Sequence, residues 1–343
     1  MVFNKSKVDL NKDRFIDVLT VISCIAVVFL HVNGIFWSHP TGRLWVSSNI
    51  IETVFYFAVP IFFMVSGYTL IDFRLRYDIK EYAYRRIKRT VIPFIVWSFI
   101  AYVFLRIINK LPPGNILSNI LNCKYMNIYW FFIPLFSAYF AVPVLGMIEN
   151  KKKIFGYMMG MFFVLNSAFP LIFKMFNISY NASLSFPVAG GYVFYLLAGY
   201  YIGNFSICSK YRNIIYALGA IGLISHCLGT IVLTDPAGKI NGLFKGYLNV
   251  PCIFHSMAIF LWCKQQDWTA VVHNSFLNFW LMSIKKCSLG IYLMHGFIVF
   301  YLLPYLKINT GSIYYRTVGV ILIVICLVPI ILLCKKIPIV KEI

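Results

Sequence analysis

Hydrophobic positions along this chain come in long unbroken stretches. They follow neither the alternation of a half-buried strand nor the three-to-four spacing of a surface helix. Windows of about 20 apolar residues, the length a helix needs to cross a bilayer, fall near 15–36, 50–71, 91–109, 128–148, 154–173, 188–205, 213–233, 248–263, 286–306 and 315–334. The pattern predicts an all-α, polytopic membrane bundle with ten transmembrane helices, forming one integral-membrane domain over residues 1–343. The connecting segments are too short to hold a separate soluble domain. The first run is too long for the core of a signal peptide and has no small-residue cleavage site after it, so a retained helix is expected.

Composition sharpens this picture. A chain with 60% hydrophobic residues, 12% charged residues and a mean hydropathy of +0.79 cannot be a soluble globule, whose surface needs about twice that charge. The net charge of +20 then concerns orientation. With the N-terminus in the cytoplasm, 22 of the 31 basic residues fall on the cytoplasmic side, from Lys5, Lys7, Lys12 and Arg14 through to Lys335, Lys336 and Lys341. The asymmetry recurs at each loop pair and predicts an N-in, C-in topology. Such charge also attracts anionic membrane lipids, and no nucleic-acid partner is implied. The nine cysteines form no CxxC pair and lie mostly within the apolar windows, so they are expected to pack as small apolar residues and hold no metal.

Against this apolar background the polar residues inside the windows stand out. On a helix, Asp17, Thr20, Cys24 and His31 fall within about 40° of one another and form one stripe. His31 lies roughly 20 Å along the axis from Asp17, too far for a direct pair. An ionisable residue in a bilayer segment is a functional candidate by default. Two readings of His31 stand: an interhelical hydrogen bond, or a general base taking a proton from an attacking alcohol.

The second window ends Val59-Pro60-Ile61-Phe62-Phe63-Met64-Val65-Ser66-Gly67-Tyr68. Here Pro60 frees a backbone carbonyl and Gly67 allows close backbone approach, although small residues also serve simple helix packing. Next comes a basic stretch with Arg74, Arg76, Arg85, Arg86 and Arg89. Orientation and lipid attraction suffice to explain it, but arginine where lysine would do favours phosphate, whose oxygens match the guanidinium fork. Tyr292 and His295 lie one turn apart in the ninth window, and Trp130 opens the fourth at the outer interface, where an aromatic belt accounts for it.

Taken in order, these segments resemble the integral-membrane acyltransferase-3 family, which includes bacterial O-acetyltransferases of surface polysaccharides such as O-antigen. The resemblance rests on Phe15-Ile16-Asp17 with His31 and on the phenylalanine-rich run into Ser66-Gly67-Tyr68. It continues with the basic stretch into Pro93-Phe94, Tyr129-Trp130-Phe131-Phe132 with Pro143, Gly199-Tyr200-Tyr201-Ile202-Gly203, and Ser288-Leu289-Gly290-Ile291-Tyr292-Leu293-Met294-His295. It implies transfer of an acetyl group from cytoplasmic acetyl-CoA to a sugar hydroxyl of a lipid-linked or polymerised glycan, at a bacterial inner membrane. By the same resemblance His31 is the catalytic histidine, Ser66, Gly67 and Tyr68 line the site, and the basic stretch receives the coenzyme's phosphates. Asp17, Thr20, Trp130, Tyr292 and His295 are expected to support the site.

Many members of the family place an arginine eleven residues before the histidine, where this chain has Thr20. Either a basic residue from elsewhere, such as Arg14 or Arg74, takes that role, or the donor is handled differently here. The competing class is a transporter or flippase of a glycan or acylated lipid. The spans offer it almost no buried acids, since Asp17 and Glu52 are expected near the ends of theirs, and no carboxylate relay is legible.

Overall fold

A computed structural model describes residues 14–38, 41–235 and 239–336. Lys5, Lys7, Lys12 and Lys341, which contribute to the orientation argument, lie outside the described residues. Among these residues all regular secondary structure is helical, and each apolar window holds a helix. Seven helical stretches are long and apolar enough to cross a membrane. They are α1 (Arg14–Val32), a broken stretch made of α2 (Gly42–Phe55) and α3 (Ala58–Leu70), α4 (Ile79–Ile107), α5 (Asn127–Gly146), α6 (Lys151–Met175), α8 (Ser209–Leu233) and α10 (Ser275–Tyr305). The remaining windows hold α7 (Val193–Asn204), α9 (Val250–Gln265) and α11 (Val318–Cys334), of 12, 16 and 17 residues.

Among the boundaries that differ from the sequence expectation, two have a plain physical reason. The second window was expected to open at residue 50, yet α2 begins at Gly42. Ser48, Asn49, Glu52 and Thr53 depress its hydropathy, but all four are buried against protein, where partners such as the Cys227 carbonyl, 2.9 Å from Asn49 Nδ2, replace water. Glu52 is therefore a buried acid within a membrane stretch and not a residue at its rim. The basic stretch falls between the second and third apolar windows, where a connecting loop is the simplest expectation. Instead Asp78 caps α4, its Oδ1 accepting the Glu81 N–H at 2.8 Å, so Lys80, Arg85, Arg86, Lys88 and Arg89 ride on the helix.

α1 is the central element, packing against α2, α3, α9, α10 and α11. Beside it α3 and α7 approach closely through small residues. A Cβ at Gly67 would stand 1.9 Å from the Leu196 carbonyl oxygen, and one at Gly199 would stand 2.0 Å from that of Met64. Two backbones can come this near only because both positions lack a side chain.

Among the described residues three helices contain a widened π turn: Ile87–Val91 in α4, Phe163–Ala168 in α6 and Ile298–Leu302 in α10. Each is followed two residues later by a proline: Pro93, Pro170 and Pro304. A proline has no N–H for the carbonyl four residues back, and its ring collides with that carbonyl. Those carbonyls belong to Arg89, Asn166 and Phe300, each inside its π turn, where widening relieves the clash. Pro143 and Pro329 lie inside α5 and α11 without such a turn, so proline permits the widening without compelling it.

Candidate active site

The polar stripe of α1 meets a second stripe on α10. Lys285, Ser288, Tyr292 and His295 follow one another at three- and four-residue steps and so share a face. At one end Asp17 Oδ1 lies 2.5 Å from Lys285 Nζ, while Asp17 Oδ2 pairs with Arg14 at 3.2 Å. In the middle Cys24 Sγ stands 3.8 Å from the Ser288 carbonyl oxygen. At the other end His31 Nδ1 and His295 Nε2 are 2.7 Å apart.

The histidine pair has a defined proton order. His295 Nδ1 is 2.8 Å from the Ile291 carbonyl oxygen, which can only accept, so Nδ1 carries the hydrogen. In the neutral ring Nε2 is then an acceptor, and His31 Nδ1 must donate to it. This leaves the lone pair of His31 on Nε2, the arrangement of a base held in one tautomer by a second group. His295 is fully buried, and its ring lies nearly parallel to that of His31, with centroids 4.9 Å apart.

Two cavities run along this seam. The first, of about 300 Å³, is walled by His31, Glu52, Trp37, Tyr56, Trp130 and Tyr247. The second, of about 240 Å³, contains Thr20, Ser66, Arg89, Thr90 and Ser288. Phe62, Phe131 and Tyr292 belong to both walls, so an aromatic partition separates a compartment with a base from one with a guanidinium. Thr20 and His31, one in each compartment, are about 16 Å apart along α1.

The structure sorts the expected site residues. Arg89, on the π turn of α4, shares the second cavity with Thr20 and Ser66. Arg86 lies over the rings of Tyr82 and Tyr139 at 5.9 and 5.5 Å and lines an adjoining space of about 360 Å³. The other three arginines are not gathered there. Arg85 pairs with Glu81 at 2.6 Å and covers Tyr77, Arg76 donates to the Thr69 carbonyl, and Arg74 is exposed in the turn Phe73–Leu75. Arg14 is held by Asp17. The arginine that shares this cavity with Thr20 is Arg89; Arg14 and Arg74 do not line it.

Two motif neighbours also part company. Ser66 lines the second cavity, but Tyr68 lines neither: residue i+2 on a helix points about 200° away, and the Tyr68 ring packs edge-on to Phe15 at 5.3 Å. Gly67 faces α7, where its role is close packing. Asp17 supports the seam through ion pairs remote from His31. Trp130 is in the wall of the His31 cavity and not merely in an interfacial belt. The Tyr292 hydroxyl donates to the Ile128 carbonyl, which fixes the ring in the partition.

Sequence reasoning missed Glu52 and Lys245. Their ion pair, 2.8 Å from Oε1 to Nζ, is buried beside the His31 cavity. The available signal was the spacing Ser48, Glu52, Tyr56, which puts three polar groups on one helical face.

The family described as an acyltransferase domain matches residues 13–334, and with them α1 through the end of α11. No curated protein and no solved structure matches the chain.

Proposed function

This chain belongs to the integral-membrane acyltransferase-3 family, and we propose that it carries an acetyl group from cytoplasmic acetyl-CoA to a sugar hydroxyl of a bacterial surface polysaccharide. Membership makes it a membrane acyltransferase; the donor, the acceptor and the inner membrane are our reading. The observation that carries this reading is the pair of cavities meeting at Phe62, Phe131 and Tyr292, with His31 in one and Arg89 in the other.

In this account the Arg14 end of α1 faces the cytoplasm. The coenzyme's phosphates dock against Arg86 and Arg89, with forked donors suited to phosphate oxygens. The thin pantetheine arm enters the cavity holding Thr20 and Ser66, and the thioester reaches the aromatic partition. From the opposite face the glycan hydroxyl enters the His31 cavity. His31 Nε2 takes the hydroxyl proton as the oxygen attacks the thioester carbonyl. The tetrahedral intermediate collapses with rupture of the carbon–sulfur bond, and the imidazolium returns the proton to the departing thiolate. His295 holds the His31 tautomer and shares the transient positive charge. Ser66 is the hydroxyl on the donor side that can hydrogen-bond the developing oxyanion.

The test is the mass of surface glycan from cells with the gene, without it, and with His31→Ala. A gain of one acetyl mass per modified unit that requires both gene and His31 supports the proposal. Unmodified mass with altered glycan amount points instead to a transporter.

A further inference from the structure

The His31 cavity contains a carboxylate that proton transfer does not use. Glu52 has a side chain only 4% exposed, and Lys245, its partner at 2.8 Å, is 6% exposed. The ammonium is further enclosed by rings, with Nζ 3.9 Å from the centroid of Tyr56, 4.6 Å from Phe36 and 5.1 Å from Trp37. One carboxylate oxygen and an aromatic cage therefore satisfy Lys245. The other carboxylate oxygen, Oε2, is buried with no donor in good hydrogen-bonding geometry, and the Asn33 side chain is near enough to interact with the carboxylate. A buried acceptor left without a donor is costly, and a buried ion pair is itself a weak source of stability. Neither term explains a carboxylate in the wall of a reaction cavity.

We propose that Glu52 is a binding residue for the acceptor. Its unpaired Oε2, exposed by a small turn of the carboxylate as the acceptor enters, accepts a hydrogen bond from a sugar hydroxyl neighbouring the one that His31 deprotonates, while flat walls such as Trp37 and Trp130 cover the apolar faces of the ring. The ligand class is a neutral polyol face presenting two hydroxyls. An acidic group placed here would be repelled by Glu52, whose Lys245 charge is already engaged. This rests on the proposed acyl transfer and adds to it the chemistry by which the acceptor is recognised.

The experiment uses the full chain in lipid nanodiscs, labelled acetyl-CoA, and as acceptor probe the unacetylated surface glycan extracted from cells lacking the gene. Glu52→Gln, which replaces the charged acceptor, is expected to raise the KM for glycan on the order of tenfold, the loss of one charge-assisted hydrogen bond. The KM for acetyl-CoA stays within about twofold, because the donor binds on the other side of the partition. Glu52→Asp keeps the charge but withdraws it by one methylene. It gives a smaller rise of the same kind and serves if the glutamine variant does not fold. A glycan KM unchanged in both variants, or an acetyl-CoA KM rising in parallel, overturns the assignment. Absence of transfer by the wild type, or transfer that survives His31→Ala, overturns the acyl-transfer reading itself and this inference with it.

Discussion

In the proposed mechanism His31 and His295 divide one chemical task between two side chains 264 residues apart. His31 reaches the cavity; His295 determines which nitrogen is free to act there. Removing His295 should leave His31 present but unheld, so His295→Ala is expected to lower kcat by about a hundredfold with little change in either KM. His295→Gln, whose amide oxygen can accept from His31 Nδ1, should recover part of that loss; equal rates for the two variants would show that the hydrogen bond is not what matters. On the donor side, Arg89→Ala should raise the KM for acetyl-CoA about tenfold. Arg85→Ala should change it little, because Arg85 is already engaged by Glu81 at 2.6 Å. His31 was legible as an ionisable residue in an apolar run and His295 as a supporting residue by resemblance, but their pairing was not, since periodicity describes a face and not what the face meets. The same limit misplaced Tyr68, two residues from Ser66 in the motif and on another side of the helix.

Among the elements, α3 and α7 depend on contact between backbones. Gly67→Ala or Gly199→Ala would force a methyl group to within 1.9 or 2.0 Å of a carbonyl oxygen that belongs to a helix and cannot retreat alone. Both variants should lose most folded protein, or melt at a clearly lower temperature, in size-exclusion and thermal assays in detergent. Gly160→Ala is the contrast: nothing lies within 4 Å of its added Cβ, and α6 should gain slightly in helix propensity. The ten helical positions were readable from hydropathy because each window is apolar whether its residues face lipid or, as in most of α1, other helices. The start of α2 was not, because Ser48, Asn49, Glu52 and Thr53 face protein, and a hydropathy window cannot tell a polar residue bound internally from one in water. The start of α4 did have a sequence signal, Asp78 three residues before Glu81, a capping arrangement overshadowed by the density of arginines. The π turn that carries Arg89 was likewise implicit in Pro93.

At the scale of the molecule, the proposed mechanism has a donor compartment toward the Arg14 end of α1 and an acceptor compartment at its His31 end. In that mechanism the orientation follows from the charge asymmetry and the meeting point from the partition. Their combination requires that the acetyl group cross while coenzyme A does not. Inverted membrane vesicles that enclose unacetylated glycan test this most directly, with labelled acetyl-CoA added to the exposed cytoplasmic face. Label on the enclosed glycan in wild-type vesicles, and none with His31→Ala, is the predicted result. Label confined to glycan supplied outside, or label inside that persists without His31, would contradict the account.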